Sequence, residues 1–228
     1  MNVTTTGLIR ATGIAAMLAG ALFVLVQVIH PAETIEAVAG DGWVPVHYLT
    51  IAMLTLFAIG VAGIYARQVE QVGKIGLAGF AVLSFALVLN IGGAFVEAFV
   101  EPLLATSNPD FVEAFNAMVM GTPYTYDLGA LPTMWAVSSA TFPLGSLLFG
   151  VAILRAGVLS RWGAGVFAFG LAVGLPVASV IGNVRLAAIP ISIGLIWLGY
   201  SLWSQRRASA PEAQPTPAPV QRQEAGAA

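Results

Sequence analysis

The chain contains no cysteine, a single lysine and two histidines, and only 9% of its 228 residues are charged. Without cysteine there are no disulfides, thiolate metal sites, iron–sulfur clusters or cysteine nucleophiles. Soluble domains carry about 25% charged residues, so the shortage of charge points to an integral membrane protein. The net charge of −2 provides no basic stripe to neutralise phosphates, which excludes a nucleic-acid partner. Lys74 lies outside the apolar runs, which argues against a Schiff-base retinal protein, and no arginine ladder suggests voltage sensing. Gly-rich phosphate loops, a Gly-x-Ser-x-Gly elbow and a dinucleotide fingerprint are all missing.

What the chain does have is apolar length: 58% of it is hydrophobic and its mean hydropathy is +0.87. A bilayer-spanning helix needs roughly 20 such residues. Six stretches qualify, at about 11–29, 48–66, 75–104, 134–154, 162–181 and 186–203. The expected fold is an all-α integral membrane protein, a six-transmembrane-helix bundle occupying residues 1–207. The first stretch is read as a retained helix rather than a cleaved signal, because it is long and Glu33 and Glu36 follow it before "AVA" at 37–39. Pro143, Pro176 and Pro190 fall inside three stretches and predict kinks. Residues 208–228, "ASAPEAQPTPAPVQRQEAGAA", have no hydrophobic period and are expected to form a disordered Pro/Ala-rich cytoplasmic tail.

Orientation follows from the basic residues. In a six-span layout eight of the nine fall on one side, with Arg185 alone on the other, while eight of the eleven acids fall on the Arg185 side. Both termini are therefore expected in the cytoplasm, with the chain in the plasma (inner) membrane. The long connection between the third and fourth stretches contains "SNPDFVEAFNAMVMG". Ser107 and Asp110 stand at capping-box spacing, Pro109 suits a first turn and Gly121 a stop, which predicts a short interfacial helix over about 109–120. A weak echo between 60–81 and 150–168 is attributed to chance, since small apolar letters coincide cheaply.

Polar residues gather in the outer half. Asn90, Glu97 and Glu101 are seven and four residues apart, within roughly 20° of one line on a helix. An intramembrane charge costs on the order of 2.5–3.5 kcal/mol, so they are expected to face the bundle interior. Gln27 precedes His30 by one turn; Thr50 follows His47 by the same interval. Ser138, Ser139, Thr141, Ser179, Asn183 and Arg185 add to the same half. The inner half offers small-residue packing, as at Gly170 and Gly174. Gln27, Asn90, Glu97, Glu101 and Arg185 are the candidate ligand-binding residues, and Arg185 could neutralise Glu97 or Glu101 or cap the turn at Gly182–Asn183.

The two histidines bracket "HPAETIEAVAGDGWVPVH", His30 to His47. Joined by a loop between adjacent helices, His30, His47 and Glu97 form a candidate set for a divalent transition metal. The plainer reading has both imidazoles bonded to loop carbonyls. Bis-histidine haem fits less well, because helix ends beside a loop hold such ligands poorly. Tryptophans 43, 135, 162, 197 and 203 read as interfacial anchors, with Trp43 in the first outer loop.

The functional expectation is an outward polar vestibule that binds or senses a cation or small polar solute, with the lipid bilayer as partner and no catalysis. Two alternatives stay open: a membrane-embedded metal-dependent enzyme acting on a lipid or small apolar substrate, and a non-catalytic accessory subunit.

Overall fold

The computed structural model describes residues 4–181 and 184–205. The tail from 208, the Gly182–Asn183 turn and the side chains of Pro176 and Ser179 lie outside what it describes. Among the described residues every regular element is helical: α1 (Thr5–Ile29), α2 (Ile35–Val38), α3 (Trp43–Arg67), α4 (Val69–Phe95), α5 (Glu101–Leu104), α6 (Pro109–Met120), α7 (Leu131–Ala156), α8 (Arg161–Ile181) and α9 (Ala188–Ser204). A π-helical turn, Val96–Val100, joins α4 to α5, and a 3₁₀ turn, Val184–Ala187, precedes α9.

Local chemistry sets the boundaries. Thr4 caps α1 by accepting from the Gly7 amide at 3.1 Å. The helix stops at His30, which is extended (φ −63°, ψ 128°) because the following Pro31 disfavours the helical region. α3 passes into α4 at Gln68, and α4 is broken near its start by Gly73 (φ 59°, ψ −161°), a conformation open in practice only to glycine. At α6 the cap is Asn108, whose side chain accepts from the Phe111 amide. Ser107, expected to cap there, instead donates to the Leu103 carbonyl. Gly121 ends α6 in the left-handed region (φ 69°). Pro143 lies within α7. Pro190 falls in the first turn of α9, where its missing N–H has no intrahelical partner to lose; the expected mid-helix kink therefore does not apply there.

Among the described residues five helices are long and apolar enough to cross a membrane: Thr5–Ile29, Trp43–Arg67, Val69–Leu104, Leu131–Ala156 and Arg185–Ser204. The long helices form a ring. α1 packs against α3 and α9, α3 against α4, α4 against α7, α7 against α8, and α8 against α9. Phe57, Leu83, Phe149, Phe167, Ile191 and Leu195 fill its interior. Large apolar side chains also cover the outside, among them Leu18, Val28, Val88, Leu103 and Ile193. Apolar surface on both faces is the arrangement of a helical membrane bundle.

Small residues close the ring. A Cβ on Gly199 would lie 2.6 Å from the Gly13 carbonyl oxygen, and one on Gly13 would lie 2.8 Å from that of Gly199. Backbones so close gain dispersion contacts that larger side chains would forbid. α2, α5 and α6 gather at the end that holds the C-terminus of α1 and the N-terminus of α3.

Candidate functional site

The π-turn is the pivot of this end of the bundle. The Glu101 amide donates to Val96, five residues back, and so leaves the Glu97 carbonyl without its α-helical donor. A donor one residue further on would be Pro102, which has no N–H. The vacancy is filled from another helix: the Trp43 indole N–H donates to the Glu97 carbonyl at 2.8 Å. Trp43 is the first residue of α3 and is wholly buried. It is a structural member of the site and not the loop anchor expected of it.

Two histidines pack on that indole. The ring centroids of Trp43 and His47 are 4.4 Å apart, those of His30 and Trp43 5.8 Å, and those of His30 and His47 4.9 Å, edge to face. The segment between them, which contains α2 and the first turn of α3, therefore does bring the histidines together. Nδ1 of His47 bonds the Trp43 carbonyl at 2.8 Å, one helical turn back, and Nδ1 of His30 bonds the Pro31 carbonyl at 2.9 Å. The Nε2 atom of His47 is buried without a hydrogen-bond partner and stands 3.6 Å from a Glu97 carboxyl oxygen. Among the described residues no group of three or more His, Asp or Glu side chains is arranged to hold a metal ion. The metal set His30, His47 and Glu97 is thus gathered into one cluster but not into a coordination shell.

The expected cap at Gly182–Asn183 lies outside the described residues, and Arg185 pairs with Glu33 and not with Glu97 or Glu101. Its guanidinium donates to Glu33 at 2.9 Å, to the His30 carbonyl at 2.9 Å and to the Pro31 carbonyl at 3.0 Å. It therefore ties the α1–α2 connection to the 3₁₀ turn before α9. Glu33, an acid of the α1–α2 connection, is part of the cluster, with one oxygen on Arg185 and the other buried and unpartnered.

Glu101 has no exposed surface, and neither of its carboxyl oxygens has a hydrogen-bond partner. Glu33, Glu97 and Glu101 lie near enough to act on one another electrostatically, and His30 and Arg185 act on His47 in the same way. Asn90 does not join them. It donates to Ser138 at 2.7 Å and to the Ala86 carbonyl at 2.8 Å, which fastens α4 to α7. The expected alignment of Asn90 with Glu97 and Glu101 assumed an unbroken α-helix; the π-turn moves Glu101 out of register with the other two, and Asn90 is drawn to Ser138 on α7. Gln27 is partly buried on α1 and makes no hydrogen bond among the described residues.

Between α2 and α6 lies a cavity of about 390 Å³ lined by Glu33, Glu36, Glu113, Asn116 and neighbouring Thr and apolar side chains. Glu33 is shared between this cavity and the cluster. Comparison with family models, with curated proteins and with solved structures finds no match, so the chemistry of the site is argued from its own residues.

Proposed function

We propose that the chain is a six-span plasma-membrane protein with both termini in the cytoplasm, and that its polar end faces outward as a vestibule binding or sensing a cation or small polar solute. α8, 21 residues long and packed in the ring between α7 and α9, supplies the sixth span. The bias of basic residues to one side supports the orientation. In this arrangement α6 lies over the outer mouth at the interface.

The observation that carries the reading is Glu101. A carboxyl removed from water with neither oxygen hydrogen-bonded is costly unless something compensates it. Glu97 and Glu33 act on it electrostatically, and the unpartnered Nε2 of His47 stands 3.6 Å from Glu97. A bound cation, or a solute carrying N–H donors, would satisfy these acceptors together. The enzyme alternative lacks comparable support, because no three-ligand metal group converges among the described residues.

Two measurements test the proposal. The natural absence of cysteine makes single-cysteine labelling clean: Asp41→Cys should react with an impermeant maleimide on intact cells, and Lys74→Cys only after permeabilisation. In detergent, inorganic cations should raise the unfolding temperature of the parent and leave Glu101→Gln unmoved. An equal response from both proteins would remove the vestibule reading and favour an accessory role in which surface matters more than cavity.

A further inference from the structure

The cavity between α2 and α6 has walls whose chemistry specifies a ligand more narrowly. Three carboxylates line it, from Glu33, Glu36 and Glu113, and no lysine or arginine does. Glu33 is about nine-tenths buried and has one unpartnered oxygen. Asn116 is only 4% exposed, and its amide nitrogen has no hydrogen-bond partner. Glu36 is solvent-exposed, and its own backbone amide and the Thr34 hydroxyl hold its carboxyl below the usual range, so it is ionised at neutral pH. Thr34 and Thr122 add hydroxyls, while Ile35, Ala117 and Met120 provide an apolar wall.

These features select among cations. The acids do not converge on a point that could hold a metal ion; their charge is spread around a cavity large enough for a small molecule. Spread charge with apolar patches between suits an organic ammonium, whose N–H groups reach separate carboxylates while its alkyl body lies on Ile35 and Met120. The Asn116 amide is a donor, and a buried donor left unpaired is destabilising. It therefore calls for an oxygen acceptor on the same ligand.

We propose that this cavity binds a small organic cation carrying a primary ammonium and, a few bonds away, a neutral oxygen acceptor, the chemistry of an amino alcohol. Glu36 and Glu113 attract and hold the ammonium, Asn116 reads the oxygen, and Glu33 links the occupied cavity to the histidine cluster. The proposal rests on the vestibule reading only for the side from which the solute arrives, and binding in detergent is independent of that side.

The test is calorimetric titration of the full chain in detergent with 3-amino-1-propanol, n-butylamine and 1-butanol. 3-Amino-1-propanol should bind saturably, n-butylamine about tenfold more weakly because one hydrogen bond to a buried donor is lost, and 1-butanol not measurably. The surface double variant Glu36→Gln/Glu113→Gln should weaken both amines about tenfold or more. Asn116→Leu should abolish the preference for the amino alcohol over the alkylamine while still binding both, a readout that mere unfolding would not produce. Absence of saturable binding by the amines, binding of 1-butanol as strong as theirs, or an undiminished preference in Asn116→Leu would each overturn the assignment. Amine binding retained in Glu101→Gln supports it even if the deep cluster does not take the solute, and correct binding with inward labelling of Asp41→Cys would remove only the vestibule orientation.

Discussion

The indole N–H of Trp43 and the main-chain carbonyl of Glu97 meet at 2.8 Å although the residues are 54 positions apart. The bond exists because the carbonyl has lost both donors its own helix could offer, one diverted to Val96 and the other absent at Pro102. A local defect in one helix is thereby turned into a tertiary contact with the next. The same contact orients the ring on which both histidines pack.

Trp43→Phe should keep the ring packing but leave the Glu97 carbonyl unpaired, at a cost of about 1–3 kcal/mol. Thermal or denaturant unfolding of the detergent-solubilised protein reads this directly. In a Pro102→Ala background, where position 102 regains an N–H, the penalty should shrink. An undiminished penalty there would mean that the π-turn does not depend on the proline.

Arg185 makes three bonds across the α1–α2 connection, and Glu33 accounts for one of them. Arg185→Gln should therefore destabilise more than Glu33→Gln. With charged donors worth about 1.5–3 kcal/mol each when shielded and the Arg185 side chain still 27% exposed, the loss should fall at the lower end of that range. A double-mutant cycle should show coupling smaller than the whole Arg185 effect, because two of its acceptors are carbonyls that the Glu33 change leaves in place.

At the α1–α9 seam, Gly199→Ala would place a methyl against the Gly13 carbonyl and 2.9 Å from the Ala16 Cβ. Backbone cannot move aside cheaply, so the expected loss is about 1–3 kcal/mol. Gly165→Ala is the control: its added Cβ meets nothing within 4 Å, and its better helix propensity should leave stability unchanged or up to about 1 kcal/mol higher. Resistance to SDS-induced unfolding separates the two.

Metal analysis of the purified parent beside His30→Ala/His47→Ala should find equal, trace levels in both. The Nδ1 bonds of both histidines to carbonyls leave each Nε2 able to ligate, so the expectation rests on the lack, among the described residues, of a group of three or more His, Asp or Glu side chains arranged to hold a metal ion. Near-stoichiometric metal in the parent that disappears in the variant would restore the metal reading of His30, His47 and Glu97.

Much of this molecule follows from one-dimensional information. Apolar length and scarce charge determine a helical membrane bundle, because a backbone in lipid must satisfy its hydrogen bonds within each segment. Stop signals such as His30 before Pro31 and the left-handed Gly121 act through nearest neighbours, and they place the ends of α1 and α6 without reference to the rest of the chain. Members of a polar cluster could also be named, since acids and histidines within apolar sequence are few. A signal for the two missed members was present as well: Glu33 lies three positions from His30, and Trp43 one helical turn from His47.

What the tertiary structure alone decided is who faces whom. Asn90 bonds Ser138 and Glu97 stands beside His47 because α7 and α3 bring different neighbours to each, while the diverted hydrogen bond of the π-turn moves Glu101 out of register with both. Arg185 chooses Glu33 over Glu97 and Glu101 because ring closure between α1 and α9 brings the 3₁₀ turn onto the first connection, a proximity between residues more than 150 positions apart that no local spacing encodes. Composition can say that charges must be buried among partners; only the packing of backbones determines which carboxyl is left with none.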